Sequence, residues 1–154
     1  GPLFGAAMFS AAKLLEATGE PSMAQETEEW THLQYFVSQP TPTILLNAAG
    51  FDSDRMAELA RAAQSIQRPV VAVVPEGEHD ISQFVDAVWP IKGKVRECFL
   101  PLVASIPGEL LAAERAAMLG TAYFRNFEGG RTVPWSKEGA SRIRDSHMID
   151  EVLR

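Results

Sequence analysis

Lys13 and Glu16 are the first pair in the chain whose types and spacing suit proton-transfer chemistry. Three residues apart, they share one face of a helix. A carboxylate beside a cation can take up and return a proton, and the cation tunes its pKa. A solvated surface ion pair has the same spacing, and spacing alone favours it. His32 is the second candidate. It follows Glu29 by three residues and Glu28 by four, so either carboxylate could orient the ring and raise its pKa. A half-exposed histidine among acids is the plainer reading. The third candidate is the segment Asn47-Ala48-Ala49-Gly50-Phe51-Asp52-Ser53, which follows an apolar run and opens a helical one. Ligands of parallel α/β sheets sit at such strand-to-helix turns. Asn47, Gly50 and Ser53 are its candidate binding residues. With one Gly and one late Ser the segment is a poor phosphate loop, and Asp52 or Ser53 reads better as a helix N-cap. His79 and His147 have no second ligand at zinc-like spacing, so no metal is assigned. Cys98 is expected to be a small buried apolar residue rather than a nucleophile. Walker, GxSxG, CxxC and dinucleotide patterns are absent from the sequence.

The elements that would position these groups alternate. Gly1 to Ala17 reads as a helix: Phe4, Ala7, Met8, Ala11, Leu14, Leu15 and Thr18 follow helical spacing, which puts that stripe on the core, and Gly19 and Pro21 stop it. Glu26 to Phe36 predicts a second helix with Thr27 as N-cap and Glu28 and Glu29 in its first turn. Thr43 to Asn47, Pro69 to Val74 and Asp86 to Ile91 read as buried strands, separated by an amphipathic helix from Asp52 to Gln67. Val95 to Leu119 predicts a long apolar helix that Pro107-Gly108 should kink and Gly120 close. A short helix is expected from Ser141. Continuous β-branched strands alternating with helices imply a parallel sheet covered on both faces, an α/β fold of three layers, doubly wound. Such a sheet wants more than three strands, so a first strand is expected upstream of residue 1.

The chain has 154 residues, enough for one domain with a real core. Its net charge of −6, with no basic stripe, argues against nucleic-acid binding. Without an apolar run near the roughly 20 residues that span a bilayer, no membrane span is expected. The lone cysteine and the lack of a signal-peptide pattern point to the cytoplasm.

The order of these pieces resembles the sugar isomerase (SIS) family, most closely the second SIS domain of glucosamine-6-phosphate synthases and their deglycase relatives. Ala11-Ala12-Lys13-Leu14-Leu15-Glu16 is similar to that family's Ala-Leu-Lys-Leu-Lys-Glu helix, and Glu29-Trp30-Thr31-His32 to its Glu-Leu-Lys-His stretch, at matching separation. Ile106 to Gly120 resembles its apolar helix ending in Gly before a tail. The resemblance implies a flavodoxin-like SIS domain over 1–154, the C-terminal half of a double-SIS protein, with a tail over 121–154. It implies Glu16 as the base of enediol proton transfer, His32 as a ring-opening acid/base reaching a neighbouring subunit's site, and Lys13 as a supporting cation. Asn47, Gly50, Ser53, Arg144 and Ser146 become the substrate-binding candidates. The implied partners are a sugar phosphate, a companion N-terminal SIS domain carrying the phosphate cradle, and a second copy in a homodimer, with Val95 to Leu119 and the first helix as packing surfaces. No metal or organic cofactor is implied. Asp145 stands where the synthases carry a Schiff-base lysine, so isomerisation, deglycation or deamination is implied rather than amide transfer. The alternatives are a non-catalytic sugar-phosphate sensor or dimerisation module, and a generic flavodoxin-like binding domain.

Overall fold

The structure, a computed structural model, describes residues 1–38, 41–48 and 52–121. Gly50, Arg144, Ser146, His147 and the helix expected from Ser141 lie outside them. The order of elements is α1 (Pro2–Thr18), α2 (Thr27–Leu33), β1 (Thr43–Leu46), α3 (Ser53–Ser65), β2 (Val70–Pro75), β3 (Ala87–Ile91), α4 (Leu100–Ala104) and α5 (Ile106–Leu119). The three strands form one open parallel sheet in the order β1-β2-β3.

The central strand explains the layering. Val70, Ala72, Val73 and Val74 of β2 are all at most 1% exposed, so both faces of the sheet are covered. On one face Val70, Ala72 and Val74 join Leu45, Trp30 of α2, and Leu59, Ala60 and Ala63 of α3 in one core. On the other, Val73 and Ile91 pack with Ala6 of α1 and Leu100 and Ala104 of α4. Pro90 interrupts β3, which is tolerated because that strand pairs only with β2 among the described residues. Arg68 is buried and paired: its guanidinium lies 5.6 Å from the Trp30 ring and donates to the carbonyls of Gln34 and Val37.

Several sequence expectations are corrected. The expected core-facing stripe of α1 is met in part: Thr18 is buried and Phe4, Ala7, Ala11 and Leu14 are half-buried, but Met8 is 55% and Leu15 48% exposed, and Ala6, outside the stripe, is buried. The helix is apolar nearly all round, so periodicity alone could not select its inner face. Its inner side meets α5, and a Cβ at Gly108 would overlap the Ser10 side chain. Glu26, not Thr27, is the N-cap of α2. The long helix starts at Leu100 rather than Val95, and breaks at Ser105, just before Pro107. Cys98 is exposed, not buried. Gly19 ends α1 with φ 75°, as a terminating glycine should.

Candidate functional site

Two separate places carry the candidate residues. The first is a cleft of about 240 Å³ at the carboxyl end of β1, closed by the start of α1, the start of α2 and the start of α3. Asn47 leaves the strand there. It is 4% exposed, its amide N–H donates to the Val73 carbonyl at 3.0 Å, and its side-chain oxygen accepts from the Ser53 hydroxyl at 3.4 Å. The structure thus brings Asn47 and Ser53 together. Asp52 caps α3 by position, without a side-chain bond to its N–H groups. Glu26, Asp52 and Glu97 also line the cleft, and among the described residues no Lys or Arg does. Carboxylates and an amide suit the hydroxyl groups of a polyol, and the carboxylates repel a phosphate. Glu26, Thr27 and Glu97 were not site candidates in the sequence, where Glu26 and Thr27 marked only a helix start, although the rule that ligands sit at strand carboxyl ends points to the neighbourhood.

The second place is the far end of α1. Lys13 Nζ donates to Glu16 Oε2 at 2.6 Å, with the two side chains 34% and 43% exposed. The Lys13 ammonium also sits 5.3 Å from the Phe9 ring centre. Met8, Phe9 and Leu15 are exposed on the same helix. At a rise of 1.5 Å per residue, Glu16 lies about 18 Å along the axis from Phe4, which lines the cleft. The ion pair and the cleft therefore form separate sites within this chain.

His32 is exposed in the last turn of α2. Of the two carboxylates expected to orient it, Glu28 is paired with another group. Arg55 of α3 donates to both oxygens of Glu28, at 2.6 and 2.9 Å, and also to Glu58 at 2.7 Å. The Arg55 hydrogen bonds hold the Glu28 carboxyl below its usual range; partial desolvation opposes this, and the charges of Arg55 and His32 add to it. The same pairing raises Arg55 above its ordinary value, with the Glu28 and Glu58 hydrogen bonds as the main causes. A second tie, Arg115 to Glu20 at 2.8 and 2.5 Å, fastens α5 to the segment after α1. It lowers the Glu20 pKa, chiefly through the hydrogen bond from Arg115.

His79 is exposed. Among the described residues no group of three or more His, Cys, Asp or Glu is placed to hold a metal ion, and no helix is long and apolar enough to cross a membrane. No protein-family model matches the chain, and no curated protein matches it. The functional reading therefore stands on the residues and their placement.

Proposed function

We propose that this chain is the second half of a composite phosphosugar site in a doubly wound, flavodoxin-like SIS domain, acting in aldose–ketose isomerisation or deglycation of a sugar 6-phosphate. The observation that carries the reading is the Lys13–Glu16 pair, 2.6 Å apart, on an outward helix surface bordered by exposed Met8, Phe9 and Leu15. A base that removes a carbon-bound proton works best where water is excluded. Among the described residues nothing covers the pair, and the apolar border gives a companion domain a surface to cover. The acidic cleft fits the same division: without a Lys or Arg among its described lining residues it is a poor phosphate cradle, and the companion N-terminal SIS domain supplies one. His32, exposed on α2, is free to reach a neighbouring subunit's site in a homodimer. Gly50, Arg144 and Ser146 remain substrate-binding candidates on the resemblance alone.

In the proposed reaction the Glu16 carboxylate takes the proton from the carbon next to the sugar carbonyl. The C–H electron pair forms the C=C bond of an enediol as the carbonyl oxygen takes a proton from solvent. Glu16 then returns its proton to the former carbonyl carbon while the neighbouring hydroxyl releases its proton to solvent, so carbonyl and hydroxyl have exchanged places. His32 carries the proton to and from the ring oxygen during opening, and Lys13 holds the Glu16 carboxylate in place through their hydrogen bond.

In the full gene product, Glu16→Gln should lower turnover by roughly 10²–10⁴-fold with little change in substrate binding. Unchanged turnover would remove Glu16 from the mechanism. Mixing an inactive Glu16→Gln chain with an inactive His32→Ala chain should restore part of the activity, because one hybrid dimer site is intact. No recovery in verified heterodimers would place His32 outside the neighbour's site. The second reading, a non-catalytic sugar-phosphate sensor, draws on the solvent exposure of the Lys13–Glu16 pair. Its mark would be ligand binding without turnover in the wild type.

A further inference from the structure

We infer that the cleft at the carboxyl end of β1 is a binding site in its own right, for a small organic cation: an ammonium group carried on a short apolar body. The cleft stands about 18 Å along α1 from Glu16, so the inference does not rest on the sugar chemistry.

The cleft has two unlike halves. Its floor is apolar. Phe4 and Ala7 of α1, Leu45 of β1, and Met56 and Leu59 of α3 line it, and Leu45 and Leu59 (4% and 2% exposed) belong to the core beneath. Its rim is acidic. Glu26, Asp52 and Glu97 line the same space and are exposed to solvent, with no Lys or Arg among the described lining residues. The Asp52 and Glu97 carboxylates have no hydrogen bond or ion pair among the described residues. Lys92, Lys94 and Arg96 lead up to Glu97 in the chain, but none of them lines the cleft, and the Arg96 guanidinium lies 5.8 Å from the Phe99 ring.

Size and spacing select the ligand. A volume of about 240 Å³ has room for roughly eight waters at ~30 Å³ each, and so for an occupant of about that many non-hydrogen atoms. A bare metal ion is too small to reach the rim groups together: among the described residues no three His, Cys, Asp or Glu are placed to hold one. A phosphate meets like charge at all three carboxylates. A polyol bonds to the rim and to Asn47 but leaves the floor without an apolar partner. An ammonium on an apolar body matches both halves, with N–H donors for the carboxylates and CH groups for the floor. The structure itself holds an ammonium at this rim: the Gly1 amine donates to Glu26 Oε1 at 3.3 Å. The net charge of −6 favours the approach of a cation.

Benzylammonium matches the size of the cleft, and benzyl alcohol is its neutral counterpart. In a nitrogen-15 NMR titration of the 154-residue chain, benzylammonium should shift the Ala7, Asn47 and Met56 signals to saturation. Benzyl alcohol should bind about tenfold or more weakly, since it lacks the charge-assisted bonds. Asp52→Asn together with Glu97→Gln, both exposed changes, should weaken benzylammonium by about tenfold or more and leave benzyl alcohol unchanged. Added salt tests the same charge in the unaltered chain, and should weaken the amine but not the alcohol. Acetylating the Gly1 amine frees Glu26 and should leave benzylammonium binding equal or tighter. Equal affinity for amine and alcohol overturns the inference, as do shifts confined to other surfaces, binding insensitive to salt and to the double substitution, or loss of binding on acetylation. Tighter binding of sorbitol or of inorganic phosphate at the same residues also overturns it, and gives the cleft to a polyol or an anion instead.

Discussion

The two sides of the sheet are finished differently. On the α2–α3 side, Leu59, Ala60, Ala63 and Trp30 close a core, and the outer surface is charged: Arg55 lies between Glu28 and Glu58. On the α1–α4–α5 side the inner core is made of smaller pieces, and the outer surface is apolar, with Met8 and Leu15 on α1, Leu102 on α4 and Leu110 on α5 exposed. On the first side the exposed apolar groups gather past the end of α2, at Leu33, Phe36 and Val37, while α3 is charged outside; on the second they run along the helices themselves.

Truncating one leucine from each side should break or uphold this contrast most sharply. Leu59→Ala removes a side chain that is 2% exposed and should cost about 2–5 kcal/mol in urea unfolding. Leu110→Ala should change the stability of the single chain by no more than about 0.5 kcal/mol, because its side chain is 61% exposed. Comparable losses would show that the α5 face is already buried within one chain.

The Gly108–Ser10 crossing should come next in size. Gly108→Ala forces α1 and α5 apart and should cost about 1–3 kcal/mol despite the helix preference of alanine. Adding Ser10→Gly should recover most of the loss. Ser10→Ala alone should be neutral or slightly stabilising, since the Ser10 hydroxyl is buried without a hydrogen-bond partner among the described residues. A large loss in Ser10→Ala would reveal a partner for that hydroxyl.

The smallest effects belong to the exposed ion pairs. Glu28 and Glu20 should titrate below the ordinary glutamate range in carbon-13 NMR. A folded-state pKa below the unfolded one stabilises at pH above the unfolded value, and that contribution is lost as pH falls through the lowered one. Arg55→Gln should return Glu28 to the ordinary range and leave Glu20 where it is. Because both pairs are exposed, added salt should shrink the shifts. Movement of both carboxyls in Arg55→Gln would mean that the two pairs are coupled.

What the sequence disclosed follows from the range of the interactions involved. β1 and β2 were legible because a strand buried on both faces must be a continuous run of apolar residues, as Val70 to Val74 is. The Lys13–Glu16 contact was legible because three residues separate the partners on one helix. The Arg55–Glu28 and Arg115–Glu20 ties were not, since they span 27 and 95 residues and depend on how helices dock. The inner faces of α1 and α5 were obscured for another reason. Both helices are apolar on two sides, and periodicity cannot say which side meets the sheet and which stays exposed. Cys98 was misplaced because the apolar pattern runs on from Val95 although the backbone does not become an α-helix until Leu100.

The most direct test of the composite-site account is solvent-deuterium incorporation at C2 during equilibration of fructose 6-phosphate with glucose 6-phosphate, or during turnover of their amino-linked relatives, by the full gene product. The account predicts deuterium at C2 with the wild type and none above background with Glu16→Gln, while the 154-residue chain alone supports none. Equal incorporation by wild type and Glu16→Gln would contradict it, and so would exchange catalysed by the isolated chain.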